Sequence, residues 1–446
     1  MKKILIFVVL LFGVDMAFAM SLQEALEKAY DFNPKLKAEQ EKLKEEDERI
    51  MRALGSFMPT VQVNKKSTFN NIKNYTSNSL VPRQTSTNIS QGIAVKQNVF
   101  RSFGDISELA KQKNLVLLAR ANLKAAEQET LFEAAQAYLN VVKAKETRDI
   151  TDKKVKSYRT LVESMKEKFK AGEVTRTDVS QAEARYSQAI SDNIAAVGSV
   201  KSAQAKFKSV IGEEAGELEM PTLRLELPVS VDDAFSISTS KNPNVEKAKY
   251  SKNAGNNGIA VARANLLPSA DVEFSRTRAD TTITNAKNSY TNTTTLSVTM
   301  PLFNGGRNWS GLRSAKRAAK GGEYQYKNTI NSIYDTTMEA WQNFEISKAS
   351  LAAREDALEY AKIAWEGMQI EEQAGTRDTT DVIISQANYF DTLIQLLNEK
   401  VNYRIRYYAL KAQLGEMTAK DLELQVNYYD PLKNYDKITK ELIGSF

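Results

Sequence analysis

The sequence predicts an α+β membrane protein, internally duplicated, in which each half supplies two β-strands and one long helical hairpin. Three observations carry this reading. Two stretches of the chain match each other at a near-constant spacing, four short segments alternate strictly between apolar and polar residues, and two very long stretches run at helical periodicity without proline.

The duplication sets the domain organisation. Ser21-Leu22 with Asn33-Pro34 recurs as Ser230-Val231 with Asn242-Pro243, and Pro59-Thr60-Val61 recurs as Pro268-Ser269-Ala270, all 209 positions later. Further on the spacing becomes 203: Val99-Phe100 matches Leu302-Phe303, Ala171-Gly172 matches Ala374-Gly375, and Asp178-Val179 matches Asp381-Val382. The change falls in the strand region, where a longer loop costs little closure entropy. Gly212, Gly216, Pro221 and Pro228 interrupt helical periodicity between the halves. The chain therefore divides into a leader at 1–19, a first repeat at 20–228, a second at 229–424 and a tail at 425–446.

Residues 1–19 read as a secretory signal peptide, with Lys2 and Lys3 as the basic start, an apolar run at 4–14 and Ala17-Phe18-Ala19 as the cleavage site. The run is short for a spanning helix, which needs about 20 apolar residues. Beyond it, Lys, Glu, Asp, Asn or Gln breaks every apolar stretch within a few positions, so a membrane would be met with strands. The 446 residues include no Cys, which excludes disulfides, a thiolate nucleophile and an acylated N-terminal Cys. The absence of His removes the usual zinc sites and every Ser-His triad. No catalytic, cofactor-binding or metal-ligating residue is assigned. The net charge of +6 comes from 61 basic and 55 acidic residues interspersed along the helices, a solvated-helix pattern and not a nucleic-acid patch.

Each half opens on a helix, 22–54 and 231–266, with apolar residues at i, i+3, i+4 and i+7. Strands follow. Val61 and Val63 alternate with Gln62 and Asn64, and Ile89, Ile93, Val95 and Val99 with Ser90, Gly92, Ala94, Lys96 and Asn98. In the second half Ala270, Val272 and Phe274 alternate with Asp271, Glu273 and Ser275, and Leu296, Val298, Met300 and Leu302 with Thr295, Ser297 and Thr299. One apolar and one polar face suits a membrane barrel, although a soluble sandwich shares the pattern. Phe57, Phe100, Phe103, Phe303 and Trp309 stand where an interfacial girdle belongs. The Asn-, Thr- and Ser-rich stretches 70–87 and 280–293 read as exposed loops.

From 102 to 170 there is no proline, and Ile106, Leu109, Val116, Leu123, Leu131, Tyr138 and Val141 mark an apolar seam. A helix of this span reaches roughly 100 Å and must lie against others in coiled-coil fashion. It turns back at Ala171-Gly172-Glu173-Val174-Thr175 into a helix over 177–211, and the second half repeats this around Ala374-Gly375-Thr376. Gly beyond a helix end, with Thr or Asp opening the next, is ordinary cap chemistry.

Four strands leave two unpaired edges, which lipid cannot satisfy, so a barrel must be closed by several chains. Two chains give a barrel of eight strands filled by side chains; three give twelve and begin to leave a pore. The polar faces Ser90-Gly92-Ala94 and Thr295-Ser297-Thr299 suit a wet lumen.

Set in this plan, the LxxALxxAxxxNP opening at 22–34, the run Pro301-Leu302-Phe303-Asn304-Gly305-Gly306, Ala374-Gly375-Thr376-Arg377 with Asp381-Val382, and Leu414-Gly415 with Asp421-Leu422 are specific together. Over nearly the whole mature chain they resemble the TolC family of outer-membrane efflux and secretion proteins. The resemblance implies a homotrimer whose twelve-stranded barrel lies in outer-membrane lipid and continues as an α-helical coiled-coil tunnel through the periplasm. Its tip would dock a periplasmic adaptor (membrane fusion) protein and an inner-membrane ABC or proton-driven transporter. Lack of a lipid anchor leans toward type I secretion, with multidrug efflux as the alternative. A periplasmic coiled-coil scaffold without a pore is the competing class, and salt rather than detergent would extract it.

The resemblance also assigns residues. Arg377, after the second turn, ties to Thr177 and Asp178 of the first; from spacing alone, Asp178 is equally a first-turn acid and Arg377 a solvated turn residue. Where the family has a Tyr that adds a further tie, this chain has Glu372, which either pairs with a nearby Lys or Arg or repels Asp178. Three copies of Asp381 would form a cation-favouring ring, weakened because the second ring position is Ile384. Asp378 either adds to that ring or caps the helix. Gly172, Glu173, Val174, Gly375 and Thr376 match the tips that adaptors grip, and plain turn chemistry explains them too. Gly305-Gly306 lacks the Lys-Ser of a phosphate loop and reads as a barrel-to-helix turn.

Overall fold

The computed structural model describes residues 20–440 except 73–74, 77–78, 81–83, 224–225 and 282–288. The signal peptide at 1–19 and residues 441–446 of the tail lie outside the described residues.

The elements run α1 (Leu22–Phe32), α2 (Pro34–Gly55), β1 (Thr60–Ile72), β2 (Tyr75–Thr76), β3 (Ser79–Leu80), β4 (Gln84–Phe100), α3 (Gly104–Lys170) and α4 (Arg176–Ile211) in the first half. The second half gives α5 (Val231–Lys241), α6 (Pro243–Ala264), β5 (Ser269–Thr281), β6 (Ser289–Thr299), α7 (Arg307–Gln373) and α8 (Thr379–Leu414), followed by α9 (Lys433–Lys440). The duplication is nearly exact in length: α1 and α5 have 11 residues, α2 and α6 22, α3 and α7 67, and α4 and α8 36. Among the described residues no helix is long and apolar enough to cross a membrane.

The chain forms two compact units, one holding the residues up to Ala38 with Lys124–Asn242 and Ile333–Tyr428, the other Glu39–Leu123, Pro243–Ser332 and the chain from Tyr429. In the first unit the expected opening helices are each broken in two. Asn33 and Asn242 leave helical geometry at ψ 117° and 123°, because the residue before proline is pushed out of the α region and the proline has no N–H to offer. Each freed Asn is then used. The Asn33 side-chain amide donates to the Val210 carbonyl at 3.3 Å and that of Asn242 to the Gln413 carbonyl at 2.8 Å, so the same device ties α1 to the end of α4 and α5 to the end of α8. α4 and α8 stop at Gly212 and Gly415, both left-handed, with φ of 91° and 85°. Leu22, Ala25, Leu26 and Ala29 of α1 are buried in the same unit as Leu131, Tyr138, Leu139, Phe207 and Ile211.

The other unit carries an antiparallel sheet in the order β1-β4-β5-β6. The strands reach further than the alternation indicated. The expected loop at 70–87 is largely ladder, since β1 runs to Ile72 opposite Gln84 and the short β2–β3 hairpin follows; β5 and β6 likewise extend into 280–293. Thr and Asn in these runs pair as strand although they show no apolar alternation, because cross-strand neighbours override local pattern. Cross-strand rows place Val61, Val95, Phe274 and Val63, Ile93 on one face, and Gln62, Ala94, Ser275, Thr293 and Thr60, Lys96, Glu273, Thr295 on the other. The apolar face is exposed: Val61, Val63, Ile93, Phe274, Leu296 and Val298 all lie open.

The apolar seam of α3 is buried from Val116 onward, but Ile106 is 55% exposed. It stands beside the sheet with Phe100 and Phe103, which are exposed as well, rather than on the buried stripe. Of the tail, α9 is held to this unit by Asn434, whose amide donates to Asp47 at 3.0 Å, and by Tyr435, whose ring lies 5.3 Å from the Arg120 guanidinium. Burial pushes the Asp47 carboxyl above its ordinary value.

Two glycines with similar backbone geometry should respond differently to Ala. A Cβ on Gly415 would stand 2.6 Å from the Lys241 carbonyl group, whereas one on Gly172 meets nothing within 4 Å. Gly172→Ala should cost about 1–2 kcal/mol from left-handed strain alone and Gly415→Ala more than about 3 kcal/mol, read from thermal unfolding of the detergent-solubilised protein. Equal losses would contradict the packing described.

Candidate functional site at the hairpin turns

Both hairpins reverse through the same local chemistry. At the first, the Gly172 and Glu173 N–H groups donate to the carbonyls of Phe169 and Lys168 at 3.0 Å, with Gly172 at φ 79°. Thr175 then caps α4 in a reciprocal box: the Asp178 carboxylate accepts from the Thr175 N–H at 2.8 Å and from its hydroxyl at 2.7 Å, and the Thr175 hydroxyl accepts from the Asp178 N–H at 3.3 Å. At the second turn the Gly375 and Thr376 N–H groups donate to Glu372 and Glu371 carbonyls at 2.9 Å, and Gly375 has φ 74°. Asp378 is the N-cap of α8, accepting from the Thr380 N–H at 3.3 Å.

The residues singled out from sequence take distinct places. Gly172, Glu173, Gly375 and Thr376 are exposed at the turns, as is Thr177. Val174 is half-buried and packs against the cluster Val162, Met165, Val179, Ala182 and Ile383, so it anchors the turn more than it displays it. Within one chain Arg377 does not meet Thr177 or Asp178. Its Nε donates to Glu371 at 2.9 Å and a terminal nitrogen lies 3.8 Å from the Asp381 carboxylate, while Asp178 is spent on the cap of its own helix. Asp381 is therefore half-exposed but partly offset by a cation, and Ile384 is open to solvent.

Glu372 joins the two hairpins near their turns. Its carboxylate accepts from Lys168 at the end of α3 and from the Thr379 hydroxyl at 3.1 Å, and its side chain is 16% exposed. Four further contacts continue the seam between α3 and the α7–α8 hairpin. The Gln386 amide donates to the Ser157 hydroxyl at 2.6 Å, Ile383 enters the apolar cluster, and Tyr158 and Phe390 hold their rings 6.4 Å apart. The buried Lys154 ammonium lies 3.1 Å from Asp192 and 3.4 Å from Asp391. Burial raises the Tyr158 phenol to about 12, so it stays neutral across the physiological range. Sequence reading missed Lys154, Ser157, Lys168, Thr379 and Gln386. The steps of four and three in Lys154, Tyr158, Leu161, Met165, Lys168 and in Thr379, Ile383, Gln386, Phe390 mark these faces, but polar residues at seam positions hide from an apolar search.

Among the described residues no group of three or more carboxylates is placed to hold a metal ion. What the arrangement offers is a polar contact across a seam of packed helices.

The sequence profile of the family described as Outer membrane efflux protein matches residues 25–213 and 235–416, one match in each half. The outer membrane efflux protein BepC of Brucella suis biovar 1 (strain 1330) is 28% identical over 448 residues, covering 99% of this chain and 96% of its own. The outer membrane protein TolC of Escherichia coli (strain K12) is 22% identical over 423 residues, 91% and 84% of the two chains. The solved CmeC outer membrane channel of Campylobacter jejuni superposes with a TM-score of 0.80 at 15% identity, over 94% of this chain and 89% of that one, a likeness of fold.

A double-mutant cycle of Lys168→Ala and Glu372→Ala should show a coupling of about 1 kcal/mol in thermal unfolding of the solubilised protein, as fits a pair that is partly shielded from water. Additive effects would mean the contact is not made in solution.

Proposed function

We propose that this chain, which belongs to the outer membrane efflux protein family and resides in the outer membrane with a periplasmic extension, is one of three copies that together form a gated export duct and catalyse nothing. The observation that carries this is the sheet: four antiparallel strands with one exposed apolar face, one polar face and an unjoined edge on either side. Three such sheets edge to edge make a twelve-stranded barrel with lipid outside and a wet lumen inside. The halves 20–228 and 229–424 then act as two near-equivalent staves, and 425–446 as a strap on them.

In this reading the hairpin turns are the periplasmic tip. Lys168, Glu372 and Thr379 hold the two hairpins of one chain together, and Arg377 engages Thr177 and Asp178 across the boundary between protomers when it leaves Glu371. A charge-assisted contact of this kind contributes about 1–3 kcal/mol, enough to bias a closed state and leave it reversible. The exposed turn residues Gly172, Glu173, Gly375 and Thr376, backed by Val174, are the surface for a periplasmic adaptor linked to an inner-membrane ABC or proton-driven transporter. The secretion reading is supported by the descriptions of two relatives, 21% and 22% identical, as protease secretion proteins. The efflux role is the second reading, favoured by the description of the 28%-identical relative as an efflux protein.

Single-channel recording of the detergent-extracted protein in a planar bilayer tests the duct. Small discrete openings with modest cation preference are expected, and Asp381→Ala should move the reversal potential in a salt gradient toward the non-selective value. Well-folded protein that forms no channels would leave the periplasmic scaffold as the better account.

A further inference from the structure

The apolar face of the sheet ends abruptly along β5. Ala270, Val272 and Phe274 face outward with Val298, Leu296 and Val95, and the next outward positions on the same strand are Arg276, Arg278 and Asp280. Arg278 stands in one cross-strand row with Gln91, Lys65 and Tyr290, and Arg276 in the adjacent row with Ile93, Val63 and Asn292. The Tyr290 ring centroid lies 5.8 Å from the guanidinium of Arg276 and 6.0 Å from that of Arg278, and the residue is 58% exposed. Asp280 pairs with Arg278 at 3.4 Å and offsets one of the three cations, so the outward patch is net basic.

The position of this patch decides its meaning. At the other end of the sheet Leu302 and Phe303 are 83% and 82% exposed, and Phe100 and Phe103 are open beside them. From Thr299 to Tyr290 the strand climbs roughly 23 Å at about 3.4 Å per residue and a tilt near 40°, close to the height of the apolar band of a membrane barrel, about 25 Å. An arginine in the middle of that band is strongly disfavoured, while at its border it is nearly neutral. Arg276, Arg278 and Tyr290 therefore sit on the border away from the helices, at the hairpin end of the sheet. A tyrosine there, within cation–π reach of both guanidiniums, draws the two side chains toward one ring.

We propose that Arg276 and Arg278, steadied by Tyr290 and helped by Lys65, bind the phosphorylated headgroups of outer-leaflet lipid, with the acyl chains lying on the Phe274, Val63 and Ile93 surface. Two planar guanidiniums beside each other suit phosphate oxygens, which take paired N–H donors, and the apolar rows beneath continue into the ligand's own tails. Charge complementarity and this continuity select a lipid over a soluble anion. The inference rests on the reading of the sheet as a barrel wall with its hairpin end outward.

The full-length protein in detergent, with Arg276→Gln/Arg278→Gln and, as a control on the opposite face, Lys66→Gln, tests this by native mass spectrometry with added bis-phosphorylated lipid A, the same lipid with its phosphates removed, and inorganic phosphate alone. The native sequence and Lys66→Gln should retain the phosphorylated lipid about tenfold better than the dephosphorylated one, and the double variant should lose that preference. Equal retention of the two lipids by the native sequence, or undiminished preference in the double variant, overturns the site. Displacement of the lipid by inorganic phosphate at matching concentration overturns the lipid as its occupant. Planar-bilayer recording of each protein separates the outcomes, since channels without lipid preference sink this inference and leave the duct standing, and the native-sequence comparison holds even where the double variant fails to fold.

Discussion

Backbone hydrogen bonding at the edges of the sheet is the constraint on which the remaining architecture depends. Among the described residues β1 and β6 each pair on one side only, and their apolar face is open, so the sheet is unsuited both to water and, alone, to lipid. Each unpaired N–H or C=O in hydrocarbon costs several kcal/mol, and over strands of 13 and 11 residues that sum exceeds the whole stability of an ordinary domain. Further copies of the same edges remove it. A barrel built this way needs β6 to complement β1, and the antiparallel meander from β1 through β4 and β5 to β6 supplies edges of opposite direction for that purpose.

The duplication then looks less like two domains than like one stave made twice. Helices of equal length recur in the two halves, and the Asn-Pro breaks give each half the same tie from a buried amide to the last turn of its hairpin. The halves differ at the turns. Asp178 is absorbed in a capping box with Thr175, whereas Asp381 leaves its cap to Asp378 and faces Arg377, so equivalent aspartates end in different environments.

Much of this was legible from residues alone. The offset repeats, the strand alternation and the proline-free stretches specified the element order, and the caps at the turns followed from Gly, Thr and Asp. What escaped had physical causes. The opening helices read as continuous because apolar periodicity passes through Asn33 and Asn242, although proline chemistry alone sufficed to break them. The strands were read too short because Thr and Asn pair well in a ladder without alternating in hydropathy. At Glu372 the sequence leaves open a pairing with some nearby Lys or Arg or a repulsion of Asp178; the partner, Lys168, lies 204 positions away and becomes visible only when two helices are packed. The tie of Arg377 to Thr177 and Asp178 is not made inside one chain, where Arg377 turns to Glu371 and Asp178 is taken up in the cap of α4.

The count of chains in the assembly tests the central claim most directly. Native mass spectrometry of the detergent-extracted protein, read alongside its strand content by circular dichroism, should give a single species of three chains, because three sheets close the edges around a pore. A monodisperse single chain that retains its strands would show that the edges are satisfied some other way and would contradict the account.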